Sequence, residues 1–431
     1  MWFWIAGMAA FLIVFLLTKG VASRRGAFPK VRTERLTGSG AVLILGLALA
    51  ACTGSGQGAD PSGTISSATA PSLSPAESST GLPWPAAPTS ALLPERATTM
   101  LAEMQRWVDK EFMPGATAAV VSPDGVWTAA VGVDGQGARL QSASGMSLGQ
   151  VTQTFVASQA LLLAEQGKLD LDAPASRYVP VPQLANGATT RQLLGHRAGI
   201  PDPGQEPYAT VFTAPEAHWS TEQFLAPVPK ATASPGEKFY EDTTNYVLAG
   251  LVVEKASGRS IATAIDADLW TPLGLERLAY QDEQALPEPI AAPGQDEGLP
   301  QGQTGRPYLP FRSIASAIAA SHGAAGDAAS VARWGYALYG GQVLTPDSVA
   351  QLTDFDQDVG PGYGLATIDF TQPYWFKWHI EGHGMRGSLV GYRSVLAVYP
   401  EHHLSVAILT PSAVDVLPYV RYIVNAGRLL E

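Results

Sequence analysis

Cysteine is almost absent from this sequence: Cys52 is the only one in 431 residues, which excludes an internal disulfide. Charge is also scarce, since Asp, Glu, Lys and Arg together make up 15% of the chain. The 27 basic residues are outnumbered by 38 acidic ones, giving a net charge of −11. This balance argues against a nucleic-acid partner, because phosphate binding needs a basic face. The 46% of hydrophobic residues is an ordinary globular composition.

Two apolar stretches, Trp2–Leu17 and Ala41–Ala51, lie in the first 52 residues, with basic residues between them. The second is too short to span a bilayer and ends in small residues at Cys52, as in a bacterial lipoprotein signal. We therefore predict a hydrophobic segment and signal peptide over 1–52, and a protein anchored through Cys52 to the outer face of the cytoplasmic membrane. The first stretch is either a retained membrane segment or upstream of the true translation start. A buried core cysteine is the alternative for Cys52.

Residues 53–97 are rich in Ser, Thr, Pro, Gly and Ala and carry almost no charge. Such a composition cannot bury enough apolar area to fold, so we predict a disordered linker. Its r.m.s. reach is roughly 35–40 Å. The folded domain is predicted over 98–431.

The stretch from Met146 to Pro180 carries the strongest pattern. Val156, Ala160 and Leu163 recur at steps of four and three, which is the spacing of one buried helical face. Gly167 suits the left-handed cap that ends such a helix. The pattern predicts a buried helix from about Gly149 to Gln166.

Thr154-Phe155 and the run Gly167–Asp172 resemble the nucleophile helix of the penicillin-recognising serine hydrolases: class C β-lactamases, DD-peptidases and related esterases. Further segments that resemble this family are Thr189–Pro201, Pro235–Phe239 and Thr244–Gly258. The resemblance extends over about Thr98 to Leu430. It implies an α/β (α+β) fold of the β-lactamase/DD-peptidase type, with an antiparallel sheet flanked by helices and a helical subdomain from the middle of the chain.

The three catalytic motifs of that family are not retained. The family motifs are Ser-x-x-Lys, Tyr-x-Asn and His/Lys-x-Gly. In this chain the Ser and Lys positions hold Gln150 and Gln153. The Tyr and Asn positions hold Glu241 and Thr243, and the His/Lys and Gly positions hold Met385 and Gly387. A glutamine amide is neither a nucleophile nor a base near neutral pH, and a serine hydroxyl needs a base beside it. Because removing one member of such a unit costs orders of magnitude in rate, the resemblance implies a non-hydrolytic member of the family.

If these alignments hold, Gln150, Glu241 and Met385 converge in one cleft, within roughly 12 Å of one another, which is about the width of an ordinary small-molecule pocket. One wall of that cleft would carry a carboxylate and another a thioether. Arg386 would supply compensating charge nearby, because an uncompensated buried carboxylate is costly.

The first alternative is an enzyme whose catalytic residues lie at positions other than those of the family motifs. Gly145–Gly149 fits Gly-x-Ser-x-Gly around Ser147, although the polar residues before it give no strong strand signal for a nucleophile elbow. Tyr240 lies one residue before the Tyr position, and His383 becomes the third-motif residue only in a gapped alignment. Glu241 with Asp242 would be an acid/base pair. His196 is interpreted as a structural turn residue.

A metal site is the second alternative, because His379, Glu381 and His383 share one face of a strand. With no fourth ligand apparent, we predict no metal and no cofactor. The function predicted is that of a binding or regulatory protein of the cell envelope, with a peptide, a cell-wall fragment or an envelope protein as its partner. The alternative is a serine hydrolase of the β-lactamase, DD-peptidase or esterase type, with relocated or residual activity.

Overall fold

The computed structural model describes residues 81–295, 299, 306–355, 362–372 and 380–431, with the backbone alone at 205–208. Both N-terminal apolar stretches, Cys52 and residues 53–80 lie outside the described residues. The signal peptide, the lipid anchor and most of the linker therefore stay predictions.

The main sheet is antiparallel and has six strands in the order β2-β1-β9-β8-β7-β6, and a small second sheet has the order β3-β5-β4. The strands are β1 Gly115–Ser122, β2 Gly125–Gly132, β3 Met146–Ser147, β4 Ala279–Tyr280, β5 Ala324–Gly326, β6 Ile368–Asp369, β7 His383–Leu389, β8 Tyr392–Tyr399 and β9 Leu404–Thr410.

Helices account for most of the remaining described chain. They are α1 Pro94–Asp109, α2 Thr152–Glu165, α3 Thr190–Leu194, α4 Gln205–Thr213, α5 Thr221–Leu225, α6 Thr243–Ser257, α7 Ile261–Ile265, α8 Arg312–Ala317, α9 Ala319–His322, α10 Ala328–Tyr339, α11 Pro346–Leu352 and α12 Leu417–Gly427.

Both faces of the main sheet are covered. Every residue of β1 and β9 is buried, which requires packing on both sides of these central strands. Helix α10 packs against β1, β8 and β9. Helices α1 and α12 pack against each other, and α1 also contacts β2 while α12 contacts β9. The helices α2 to α9 form the helical part, with α6 in contact with α2, α3, α7 and α9. The predicted antiparallel sheet with helices and a helical middle region is confirmed.

Helix α2 is the buried centre that its apolar spacing predicts. It follows a 3₁₀ turn at Gly149–Val151, and Gly167 takes a φ of +68° just beyond its end. Eleven of its 14 residues are buried, and Phe155 packs against Trp270 and Trp334 with ring centroids 5.1 and 4.9 Å away. Among the described residues, no helix combines the length and apolarity that crossing a membrane requires.

The domain begins earlier than predicted. Trp84 is buried and its N–H donates to the carbonyl of Gly340 at 2.8 Å, and the Leu92 N–H donates to Val126 at 2.8 Å. The predicted boundary at residues 97/98 is therefore wrong by at least 14 residues, since Trp84 already belongs to the domain. Composition alone does not predict this boundary, because a Pro/Ala-rich segment can pack on a folded domain through a few apolar side chains. Trp84 and Leu92 are the buried side chains here.

Candidate functional site

Two glycines bring the start of the central helix against the edge of strand β7. Gly149 has a φ of +52°, and a Cβ added there would lie 2.6 Å from the Ser388 nitrogen. A Cβ on Gly387 would lie 1.9 Å from the carbonyl oxygen of Leu148. Larger residues at either position would separate the two segments. The approach places Gln150 directly beside β7.

Gln150 uses its side chain to cap that strand edge. It is half-buried, and its Oε1 accepts a hydrogen bond of 2.6 Å from the backbone N–H of Ser388. This N–H belongs to the part of β7 beyond its short pairing with β6, so no strand among the described residues competes for it. A backbone donor beside a nucleophile position is the kind of group that binds a carbonyl oxygen in acyl transfer. Here the amide oxygen of Gln150 occupies that donor.

Gln153 lies one turn further along, 1% exposed, and both ends of its amide are engaged. Its Nε2 donates to Ser321 Oγ at 3.1 Å. Its Oε1 accepts from the hydroxyl of Tyr363 at 3.2 Å and from Nε2 of His196 at 3.3 Å. A fully satisfied buried network of this kind holds each side chain in one orientation.

The protonation state of His196 follows from its partners. Asn245 Nδ2 donates to Nδ1 of His196 at 3.2 Å, so the ring proton is on Nε2 and points at Gln153. Burial, and secondarily the charge of His322, lowers the pKa of His196 to about 3, so the imidazole is neutral near pH 7. Its φ of +56° places it in the turn after α3, as the structural interpretation predicts. The network around Gln153 therefore carries no charge.

The second-motif residues lie at the start of helix α6: Glu241 precedes it and Thr243 is its first residue. Asp202 accepts from the backbone N–H groups of Thr243 and Thr244, at 3.1 and 2.7 Å, and so caps this helix. Glu241 is half-buried, and burial raises its pKa, opposed by the positive charge of Arg386 on β7. Burial, Asp202 and Glu241 together raise the pKa of Asp242 to about 7.

The third motif lies on β7, where side chains alternate between two faces. Met385 is fully buried in the hydrophobic core, whereas Arg386 is half-buried and Ser388 exposed on the opposite face. The predicted thioether wall is therefore wrong: an arginine and a serine, not Met385, belong to the open side of the strand. Gly387 serves the close approach to Leu148 described above.

The first and second motif positions both approach this strand. Gln150 bonds Ser388, and Glu241 lies close enough to Arg386 for their charges to interact. Four cavities among the described residues are lined without Gln150, Glu241 or Met385, so none of these four is the predicted pocket. The 12 Å separation stays a prediction.

The alternative catalytic residues are not brought together. Ser147 is the second residue of the two-residue strand β3 and is 1% exposed, and the polar residues before Gly145 form no strand, as expected. Its Oγ has no hydrogen-bond partner among the described residues. Tyr240 is 43% exposed, so the pair does not share a buried site.

His383 starts β7, opposite Asp369 and away from Ser388. It packs against Tyr339, and burial lowers its pKa to about 4, opposed by Asp369. His379 lies outside the described residues. Within the described ranges, no group of three or more His, Cys, Asp or Glu side chains is arranged to hold a metal ion.

The fold and the arrangement of the three motif segments define a protein of the β-lactamase/DD-peptidase type. The sequence model of the Beta-lactamase family matches residues 100–420, and the chain belongs to that family.

Curated relatives include the esterase EstB of Burkholderia gladioli, 29% identical over 256 residues, which cover 51% of this chain and 65% of that protein. Penicillin-binding protein 4 of Amycolatopsis lactamdurans is 29% identical over 187 residues, covering 40% and 46%. The matches thus span about one third to two thirds of the curated relatives' own lengths.

Solved structures match over more of the chain. A D-stereospecific amidohydrolase from Streptomyces sp. is 25% identical with a TM-score of 0.63, covering 77% of this chain and 98% of that one. The D-amino acid amidase from Ochrobactrum anthropi SV3, complexed with L-phenylalanine, is 19% identical with a TM-score of 0.64, covering 78% and 98%. At 19% identity the second likeness shows the fold alone.

Proposed function

We propose that this chain is a binding or regulatory protein of the cell envelope that uses a β-lactamase-type fold without hydrolysing its ligand. The observation that carries the proposal is the hydrogen bond from the Ser388 N–H to Gln150 Oε1. The residue at the nucleophile position supplies an acceptor instead of an attacking group. The donor suited to a substrate carbonyl is already occupied.

The surroundings of Gln153 support the same conclusion. Acyl transfer through a hydroxyl requires a group that removes its proton. Gln153, Ser321, Tyr363 and neutral His196 hold one another in a buried network in which no group is a base near neutral pH. The machinery that would activate a nucleophile is therefore missing from the position where the family places it.

The relatives suggest the class of ligand. Their names include a D-stereospecific amidohydrolase and a teichoic acid D-alanine hydrolase of Staphylococcus aureus. We accordingly propose a D-amino-acyl compound, such as a peptide or cell-wall fragment that ends in D-alanine. Its terminal carbonyl or carboxylate would displace Gln150 from the Ser388 N–H, and Arg386 would offer charge.

The location is part of the proposal. A lipid on Cys52 and the spacer after it would hold the domain outside the cytoplasmic membrane, where such fragments occur. The sequence pattern that ends at Cys52 supports this placement.

The test has two parts. Incubation with a fluorescent penicillin, followed by intact-mass measurement, should give no covalent adduct, with an active DD-peptidase as the positive control. Calorimetry with Nα,Nε-diacetyl-Lys-D-Ala-D-Ala should show reversible binding, and the diacetylated L-Ala-L-Ala peptide serves as the stereochemical control. A mass increase equal to one penicillin would overturn the non-hydrolytic assignment, whereas equal affinity for both peptides would overturn the ligand class.

A further inference from the structure

A cavity in the helical part has no role in the proposed function. It has a volume of about 250 Å³ and lies between helix α6, strand β4 and the helices α8 and α9. We call it the Tyr280 cavity. Its carboxylate-bearing lining residues are Glu222, Glu254, Asp282 and Glu283.

The acidic groups of the Tyr280 cavity are only partly neutralised. Asp282 is 3.1 Å from His218 and 3.9 Å from Arg312, which reaches it from outside the lining. Glu283 accepts from the hydroxyl of Ser260 at 2.6 Å. Among the described lining residues there is no lysine or arginine. The cavity therefore has an excess of negative charge.

Glu254 is a half-buried carboxylate of the cavity. Its Oε1 accepts from the N–H of Ile261 at 3.0 Å. Burial raises its pKa, that hydrogen bond opposes the shift, and the charges of Glu283 and Glu222 add to it. A cation placed in the cavity would relieve this repulsion.

Tyr280 gives an independent indication of a ligand. It is 2% exposed and lines the cavity, yet its hydroxyl has no hydrogen-bond partner in the part of the chain that the structure describes. The charges of Glu254 and Glu283 act on this hydroxyl. A buried hydroxyl without a partner is costly, and native proteins normally satisfy it.

We propose that the Tyr280 cavity binds a primary ammonium group on a short aliphatic chain, such as the side chain of a lysine. The ammonium would donate to Glu254 and to the Tyr280 oxygen. The aliphatic stem would lie against apolar lining residues, which include Val247, Leu251 and Ile261. Trp219 supplies an aromatic ring, a group that attracts cations.

A metal ion is the alternative to an ammonium group as the ligand of the Tyr280 cavity. Metal binding needs several carboxylate or imidazole groups converging on one point. Within the described ranges, no group of three or more such side chains meets that condition. The carboxylates of the Tyr280 cavity are spread around its walls, which suits an organic cation with several hydrogens to donate.

Calorimetry on the full chain tests the proposal with Nα-acetyl-lysine methylamide as the probe. Its Nε-acetylated form is the neutral control, and pentylammonium is the free-amine probe. The lysine derivative should bind and its acetylated form should not. Tighter binding of the lysine derivative than of pentylammonium would indicate a peptide side chain, and the reverse a free amine.

Three variants identify the site. Glu254→Gln keeps the acceptor for the Ile261 N–H and should weaken probe binding about tenfold, because a charge-assisted hydrogen bond is lost. Tyr280→Phe removes only the unpartnered hydroxyl and should weaken it about threefold without loss of stability. Glu401→Gln makes the same charge change at an exposed residue outside the cavity and should leave binding unchanged. Equal binding of the acetylated probe, or an unchanged affinity in a folded Glu254→Gln protein, would overturn the proposal.

Discussion

Replacing Gln153 by methionine measures how strongly the neutral network depends on its central amide. Methionine has a similar length but lacks the amide, so the buried donors of His196 and Tyr363 lose their shared acceptor. An unsatisfied buried donor costs about 1–3 kcal/mol, so two of them predict a loss of about 2–6 kcal/mol. Domains are typically stable by about 5–15 kcal/mol, so the variant should still fold at room temperature.

The assay is urea unfolding followed by tryptophan fluorescence, with Gln150→Met as the control. Gln150 is half-buried and makes one described hydrogen bond, to a strand edge whose neighbouring side chain is exposed. Water can replace that bond, so the control should cost only about 0.5–1.5 kcal/mol. Equal losses in the two variants, or less than about 1 kcal/mol for Gln153→Met, would refute the argument that the buried network depends on this amide.

Three further predictions concern chemistry, anchoring and pH. Gln150→Ser combined with Gln153→Lys should give no efficient turnover of a β-lactam or an ester, because the motif acts as a unit; turnover near ordinary enzyme rates would contradict this. Labelling with a palmitate analogue should occur in the wild type and be lost in Cys52→Ser, and a mature N-terminus away from Cys52 would contradict the anchor. Because Asp242 has a folded-state pKa of about 7 and an ordinary value of 3.8, the unfolded chain loses this proton first, so its contribution to stability falls between about pH 4 and 7. The loss of stability from pH 5 to pH 8, measured by urea unfolding, should therefore be smaller in Asp242→Asn.

Local sequence patterns were enough to predict the elements whose signal lies within a few neighbouring residues. The apolar spacing of Val156, Ala160 and Leu163 predicts a buried helix, and the structure has one at Thr152–Glu165. The segment Ser122–Gly125, which contains a proline and ends in a glycine between two apolar runs, predicts a hairpin. In the structure Ser122 pairs with Gly125 across that turn. Such signals depend on neighbours a few residues apart, which a single sequence contains.

The site depends on contacts that no local pattern encodes. Gln150 and Ser388 are 238 residues apart, and Gln153 and Tyr363 are 210 apart. The position of Met385 was predictable in part, because Met385, Gly387 and Leu389 alternate with more polar residues and so mark the core face of β7. Alignment to the family motif placed the methionine in the cleft, whereas the period of two places it in the core.

A lysine at position 153, as in the double variant Gln150→Ser with Gln153→Lys, would be opposed by the orientation of His196. The ammonium would enter a network whose nearest ring proton, on His196 Nε2, points towards it. Moving that proton to Nδ1 requires Asn245 to present its oxygen instead of its nitrogen. The same nitrogen also donates to the carbonyl of Tyr240 at 3.3 Å, so the rotated amide would place two oxygens against each other. A working lysine therefore requires a change at Asn245 as well. A serine hydroxyl there would accept from His196 Nδ1 and donate to the carbonyl of Tyr240, so Gln150→Ser with Gln153→Lys and Asn245→Ser should fold more stably than the double variant. Urea unfolding of the double and triple variants measures the difference, and a triple variant no more stable than the double would show that the orientation of His196 is not the obstacle.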